Sequence, residues 1–306
     1  MHNAAEDTEH YGQTGSRPAL PLPERTALPE RAARRGLAAL LPTHGRAFIA
    51  VHAITLAGVL WTGLSWKTTA WALVQYLVVM FGVTAGFHRY FSHRAFKTSR
   101  AFQLVLAVLA QLSAQRSVIW WAGHHRHHHR YSDRPEDVHS PLQRGLWHAH
   151  MGWLLTEEAE VEHGNVKDLE RLPELRFLDR WRLLPATVLG VSSWLLMGWQ
   201  GLFAGFFLSL VLSWHATFTI NSLTHVWGRR RFDTGDDSRN SFLLALLTLG
   251  EGWHNNHHRY MGAARQGFAW YELDISYVVL RLLAAAGLIW ELREPPAALL
   301  EQARQG

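Results

Sequence analysis

A chain of 306 residues, 48% of them apolar and none of them Cys, has ample material for a core but cannot form disulfides, thiolate metal sites or cysteine-ligated iron–sulfur clusters. Its net charge of +5 resides in segments that flank apolar blocks and forms no aromatic-interleaved basic stripe, which argues against nucleic acid and for a membrane surface. The 20 His are the outstanding feature, and with sulfur excluded the ligands left for a metal are nitrogen and oxygen.

Residues 1–44 carry Pro18, Pro21, Pro23 and Pro29 among scattered charges and lack the pattern of a signal peptide, so they read as a disordered or loosely docked cytoplasmic tail. A membrane domain follows over residues 45–294. Four apolar blocks of membrane length, 46–64, 69–87, 183–199 and 201–222, predict spanning helices. Short turns at Ser65–Thr68 and around Gln200 pair them as two hairpins, which leaves every substantial loop on one face. Of the 30 Lys and Arg, all but Lys67 fall on that face, and the positive-inside tendency makes it cytoplasmic. Two further apolar stretches, 101–122 with Gln103, Gln111, Gln115 and Arg116, and 275–292 with Arg281, predict helices lying at the interface or on a cytoplasmic cap. Residues 295–306 read as a short C-terminal tail. The expected fold class is an all-α integral membrane protein, with four transmembrane helices in two hairpins and a cytoplasmic helical cap carrying a histidine-rich dinuclear metal site.

Three histidine clusters stand out: His88-Arg-Tyr-Phe-Ser-His93, His125-Arg-His127-His128-His129 and His254-Asn-Asn-His257-His258. In the H-x-x-H-H pattern of the last two, helical positions at about 0°, 300° and 40° put three imidazoles on one face. The first pair is five residues apart, about 140° on an ideal α-helix, and converges only if the helix bends or ends between them. These eight imidazoles exceed what one ion takes, so two metals are expected. In "TINSLTHVWG" Asn221 and His225 are one turn apart, which makes His225 a candidate ninth ligand and Asn221 a candidate holder of a metal-bound water. Trp214 lies on the same face two turns deeper with Ser213 beside it, and the two are candidates for the wall of an apolar tunnel. Asp133, Asp137, Asp237 and Glu251 are candidates for orienting imidazole N–H groups, Glu251 foremost because it lies three residues before His254. His124, about 100° from His125, suits a contact beside the metals or with a substrate headgroup, whereas His127 points about 160° from His129 and away from the cluster.

The stretches "TAGFHRYFSHRAFKTS", "WWAGHHRHHHRYSDRPEDVHSP", "RGLWHAHMGWLL", "TINSLTHVWG" and "GEGWHNNHHRY" resemble, in order and spacing from about Gly45 to Glu294, the signatures of the membrane fatty acid desaturase family, specifically its acyl-CoA (stearoyl-CoA, delta-9-like) branch. The resemblance implies two iron ions (Fe2+/Fe3+) held by His88, His93, His125, His128, His129, His225, His254, His257 and His258, with Asn221 reaching one metal through water. It further implies O2 as co-substrate and a cis double bond introduced into a saturated acyl chain, delta-9 of an acyl-CoA being the default of that branch. His124 departs from the acidic residue that eukaryotic members often carry there. No fused cytochrome b5 or rubredoxin domain is visible, so a separate electron donor of ferredoxin, rubredoxin or cytochrome b5 type is expected. Arg229, Arg230 and Arg231 are candidates for docking that donor or the CoA phosphates. A desaturase of phospholipid-bound chains, or a fatty acyl hydroxylase, would use the same site. A histidine-rich metal transporter or receptor is the distant alternative, and it would place its ligands inside the spanning helices.

Overall fold

The computed structural model describes residues 41–161 and 163–305, so the expected tail lies, up to residue 40, outside the described residues. An uncharged apolar run forms α1 (Thr43–Thr62 but for Arg46), whose Leu56, Leu60 and Trp61 side chains face outward. Gly63, at φ 72°, ends it, and a reciprocal Ser65–Thr68 capping box starts α2 (Trp66–Phe81). The helix then continues as a π-helical stretch, Gly82–Ser92. Any side chain on Gly82 would strike the Leu109 carbonyl, so glycine here lets the next long helix, α3 (Arg100–Gln111), pack directly on the π stretch.

The apolar run 101–122 is not one helix. It breaks after α3 and restarts, capped by the Ser117 side chain, as α4 (Val118–Tyr131). Ala114 and Arg116 take positive φ in the gap, and Gln111 satisfies the freed backbone, accepting from Val118 N–H and donating to the Leu178 and Arg182 carbonyls. Short helices α5 (Pro141–Arg144), α6 (Leu146–His150), α7 (Lys167–Glu170) and α8 (Pro173–Arg180) lead to α9 (Leu184–Gln200). A π-helical stretch, Gly201–Phe207, then joins α10 (Leu208–Ser222).

The helical run Leu184–His225 is 42 residues long, well beyond the roughly 20 a bilayer requires. Gly198 interrupts it at φ 63°, ψ −155°. Past this break Phe206 packs on Gly190 and Gly201 on the Ser193 carbonyl, contacts that a straight helix cannot make, so the chain doubles back. The reversal sits two residues before the expected Gln200. Gln200 instead ties the two reversals together: its amide donates to the Thr62 and Gly63 carbonyls (3.2 Å each) and its oxygen accepts from Ser65 Oγ (3.1 Å). Among the described residues, three helical stretches, Thr43–Thr62, Trp66–Ser92 and Leu184–His225, are long and apolar enough to cross a membrane.

The remaining elements are α11 (Phe242–Leu247), α12 (His254–Arg259), α13 (Ile275–Ala285) and α14 (Ala297–Gln305). The stretch 275–292 is helical only to Ala285; its end turns at Gly287 (φ 72°) into β2 (Ile289–Trp290), which pairs antiparallel with β1 (Lys97–Thr98). The C-terminal residues, expected as a tail, form α14, which buries Ala303 beside Phe232 and Phe268.

Candidate metal centre and acyl cavity

The π stretch answers the spacing problem of His88 and His93. His93 N–H donates to His88 O (3.2 Å), the i→i+5 bond that sets residues five apart one above the other, and the two rings meet edge-on with centroids 4.9 Å apart. Arg126, a spacer in the second cluster, donates to the Phe91 (2.7 Å) and Ser92 (3.1 Å) carbonyls at the end of that stretch, and Asp168 holds its guanidinium from the other side. One residue thereby locks α4 to the helix carrying the first pair.

All nine histidines picked out by the sequence come together, in two groups. His88, His93, His125, His129 and His257 form one; His128, His225, His254 and His258 form the other, and within each group the ligand atoms lie within 4.8 Å of one another. Each H-x-x-H-H triplet is therefore shared. His125 and His129 serve the first group and His128 the second, whereas His254 and His258 serve the second and His257 the first. His225 reaches its group from a 3-10 turn that tightens the end of α10.

Carboxylates fix which ring nitrogen points inward. His88 Nδ1 pairs with Glu251, His128 Nδ1 donates to Asp137 (2.9 Å), His225 Nδ1 to Asp133 (2.8 Å) and His258 Nδ1 to Asp236 (2.6 Å). With Nδ1 carrying the proton, Nε2 presents a lone pair. Yet the Nε2 atoms crowd together: His88 to His257 2.9 Å, His257 to His129 2.9 Å, His129 to His125 3.0 Å, His125 to His93 2.8 Å, and His225 to His254 3.1 Å. For His88 and His225 these are lone pairs pressed toward neighbouring rings, an arrangement that a cation between them stabilises. Burial, then neighbouring imidazoles, push His93, His125, His129, His254 and His257 well below the ordinary 6.5, so these rings are neutral and able to ligate. His258 also moves down, burial outweighing Asp236; His128 moves up, burial opposing but Asp137 prevailing. The donor set thus fits two nitrogen-ligated transition metals.

Further residues brace the ligands. The guanidinium of Arg89, fully buried, donates to Glu251 (3.2 and 3.1 Å), Asp274 (3.1 Å) and the Ala264 carbonyl (2.7 Å), and Gln266 donates to Glu251 (3.0 Å). The spacers of the third cluster work in the same way. Asn255 accepts from the Arg231 and Phe232 amides, holding the loop that carries Asp236, and Asn256 donates to Gln266 O and Glu272.

A cavity of about 660 Å³ ends at this centre, where Trp121, His125, His139 and Asn221 line it. Its walls are otherwise mostly apolar, with Phe48, Val51, Phe206, Leu210, Trp214 and Phe218 among them. Trp214 holds its place by donating from Nε1 to Ser113 O (2.7 Å). Ser213, expected beside it, is not among the lining residues; its hydroxyl is buried against Leu210 O. His124 does not brace a ligand: its Nδ1 bonds Trp120 O, its ring stacks on Trp120 (4.0 Å), and it lines the cavity instead. Asp237 pairs with Arg230, while its neighbour Asp236 does the orienting; one position in an irregular loop carries no periodic signal that separates the two. Arg230 is taken up by Asp233 and Asp237, and the Arg231 side chain, 6% exposed, by Glu272, so neither offers a free cation to a donor or to CoA. Gln115, whose amide donates to Thr217 Oγ1 inside the cavity (3.0 Å), was not marked by the sequence as a lining residue.

Helices apolar enough to cross a membrane, a buried double imidazole cluster that could hold metal ions and a mostly apolar cavity that shares His125 with it define the class of protein: a helical chain suited to a membrane, with a candidate metal centre beside a cavity. Residues 64–290 match the fatty acid desaturase family model, and the chain belongs to that family, whose members are oxidoreductases acting on acyl chains. The chain is 35% identical to the sn-1 stearoyl-lipid 9-desaturase of Synechocystis sp., over 81% of its own length and 79% of that protein's. It is 36% identical to the chloroplastic palmitoyl-monogalactosyldiacylglycerol delta-7 desaturase of Arabidopsis thaliana (76% of this chain, 64% of the relative) and 37% identical to the icosanoyl-CoA 5-desaturase of Limnanthes douglasii (71% and 62%).

Proposed function

We propose that this protein is an O2-dependent di-iron acyl desaturase that removes two hydrogens from a saturated chain lying in the 660 Å³ cavity and leaves a cis double bond. The observation that carries this reading is the contact between that cavity and the nine-histidine centre, through His125 and Asn221. Abstracting hydrogen from an unactivated methylene is beyond any side chain, and two iron ions held by the five- and four-histidine groups would supply the redox chemistry. The chain's own residues supply position and exclusion. The cavity walls hold the acyl chain against the centre and keep water away, and the carboxylates keep the Nε2 atoms of His88, His128, His225 and His258 aimed inward. Asn221, on the cavity wall four residues before His225, would hold a water of the four-histidine group.

The reversal at Gly198 and the turn at Gly63 support four crossings in two hairpins, and the charge sidedness of the sequence supports a cytoplasmic centre. Electrons come from a separate donor protein. The relatives divide over carrier and bond position, and the Synechocystis protein, active on a stearoyl group at carbon 9, supports delta-9 as the position. Expression in iron-supplied cells, with the double bond located by mass spectrometry of total fatty acids, tests the reading beside a His257→Ala control. A new monounsaturated acid absent from the control is expected. A profile equal to that of the empty vector, with folded, iron-loaded protein and a competent donor present, overturns it.

A further inference from the structure

We infer that the polar, arginine-bearing face where the two histidine groups come closest to the surface docks an acidic one-electron donor protein. The inference rests on the desaturase reading and names where, and by what charge, the separate donor binds.

Each of the three histidine clusters ends in the same pair: His93-Arg94, His129-Arg130 and His258-Arg259, the last two followed by a tyrosine. Of the nine clustered histidines only His93, His125, His129 and His258 are less than fully buried. His125 lines the acyl cavity, and the other three do not. Their rings stand in a row, with centroids 4.6 Å apart from His93 to His129 and 4.5 Å from His129 to His258. The His258 ring is itself only 3% exposed, so at that position it is the backbone leading into Arg259 that reaches solvent. The row joins the two groups and marks the side on which the centre lies nearest the surface away from the cavity. Electrons entering through it do not cross the space that the acyl chain occupies.

The charge of this face is positive by covalent position. Arg94, Arg130 and Arg259 are exposed, as is Arg134 on the loop after α4. Among the described residues the side chains of Arg130, Arg134 and Arg259 have no hydrogen bond or ion pair. Arg94 shares Asp168 with Arg126 (2.7 and 2.8 Å), two guanidiniums on one carboxylate, so positive charge is left over there too. The acids within residues 88–94, 123–137 and 254–266 are Asp133, Glu136 and Asp137. Asp133 and Asp137 turn inward onto His225 and His128, which leaves only Glu136 exposed. On the loop that carries Asp236, Asp233 pairs with Arg230 and Asp237 with Arg230 and Arg239, so that loop is balanced where this face is not.

The same face is a poor surface for lipid. Among the described residues, Tyr260 is the only exposed large apolar side chain in residues 88–100, 123–141 and 254–269, whereas α1 and α9 expose several each. A charged surface with a single aromatic suits a soluble partner that docks briefly, guided by opposite charge. Two electrons are needed for each double bond and arrive one at a time: at each encounter the donor is oxidised by one electron, which passes to an iron held by the histidines, and no bond is made or broken.

The test uses the full, iron-loaded chain in phosphatidylcholine nanodiscs, with a plant-type ferredoxin as the acidic probe. Stopped-flow mixing without O2 follows the oxidation of reduced ferredoxin by the oxidised protein, and the anisotropy of labelled ferredoxin reports binding. Raising NaCl from ~0.02 M to ~0.3 M should slow the transfer about tenfold. Arg130→Glu with Arg259→Glu should slow it about tenfold at the lower salt and weaken binding in parallel, with bound iron and reduction by reduced methyl viologen at the parent's level. A variant that binds ferredoxin and takes its electrons as the parent does overturns the proposal. Reduction of the parent by viologen but not by ferredoxin also overturns it and leaves the desaturase reading standing; a folded, iron-loaded parent that neither one reduces overturns both. If the double Glu variant does not fold, Arg130→Gln with Arg259→Gln should act in the same direction. Hydrogen exchange shows what covers the face. Slower exchange over residues 130–137 and 259–264 on adding ferredoxin supports the docking, and slowing produced by anionic lipid in the discs but not by ferredoxin assigns the arginines to the bilayer and overturns it.

Discussion

The two H-x-x-H-H triplets have the same spacing and use it in opposite senses. On α4 the i and i+4 imidazoles, His125 and His129, go to the five-histidine group and the i+3 imidazole, His128, crosses to the four-histidine group; on α12, His254 and His258 go to the four-histidine group and His257 crosses back. Each triplet thus spans both positions, and the crossing residues bind the groups into one unit. The backing differs as well. Three of the four imidazoles in the smaller group lean on carboxylates, Asp137, Asp133 and Asp236, whereas among the described residues of the larger group only His88 does, through Glu251. A carboxylate on Nδ1 makes the imidazole a stronger donor, so the group with fewer ligands carries the stronger ones. In the proposed function Asn221, four residues before His225 in the chain, holds a water of the smaller group.

Breaking the crossing produces the largest effect. His128→Ala or His257→Ala removes a ligand from one group and unlinks the other, and bound iron should fall from about two per chain to about one or fewer, with product undetectable. Elemental analysis of purified protein beside a fatty-acid assay checks this. Iron loss confined to the smaller group on mutating His257 would show that the division between the groups is wrong.

The next effect separates the groups. Asp236→Asn, like Asp137→Asn, weakens an imidazole of the four-histidine group alone, and Glu251→Gln weakens one of the five-histidine group alone. Each should lower metal affinity by about 10- to 100-fold at one site only. Chelator competition followed by Mössbauer spectroscopy resolves the two positions, and equal loss from both after Asp236→Asn would contradict the assignment.

The clustering of the candidate ligands is legible because i, i+3, i+4 spacing is local physics: any helix carrying His125, His128 and His129 must show all three on one side. Their division is not, because it depends on how α4 and α12 face each other, a matter of packing that no short pattern encodes. The π stretch was equally hidden; the His88–His93 spacing demanded a distortion, and nothing in "GFHRYFSH" says which. Orienting groups on loops fared worst. Glu251 was found by its position near His254, but Asp236 was displaced by its neighbour, and Arg89 and the Asn255-Asn256 spacers looked like filling between ligands. Fold-level patterns failed in the same way: the run 101–122 kept its hydropathy across a break that Gln111 and Ser117 make possible.

His124 gives a smaller effect with a definite sign. Burial first, then the neighbouring His163, lower its value to about 3, against about 6.5 in an unfolded chain. As pH falls through 6.5 the unfolded chain takes up a proton that folded His124 refuses, so stability is lost from 6.5 down toward 3 by up to about 1.4 kcal/mol per pH unit. His124→Gln removes that slope. Its melting temperature in detergent should fall less than the parent's between pH 7 and pH 5, whatever the offset at pH 7, and parallel curves would mean that His124 is not held neutral.

The smallest expected effect completes the contrast within α4. His127 sits between Arg126, which clamps the first cluster, and His128, which crosses between the groups, yet its Nε2 reaches only the Glu136 carbonyl (3.1 Å) and its ring stacks on His163 (4.0 Å). It touches no member of either group. His127→Ala should therefore change stability by no more than about 0.5 kcal/mol and leave iron content and product yield at the parent's level. Its neighbour's substitution should lower the first and abolish the second, so two adjacent histidines of one helix separate candidate ligand from bystander. A drop in bound iron after His127→Ala would mean that the stack on His163 holds α4 in register, and that the packing on the outer face of this helix also determines where His128 points.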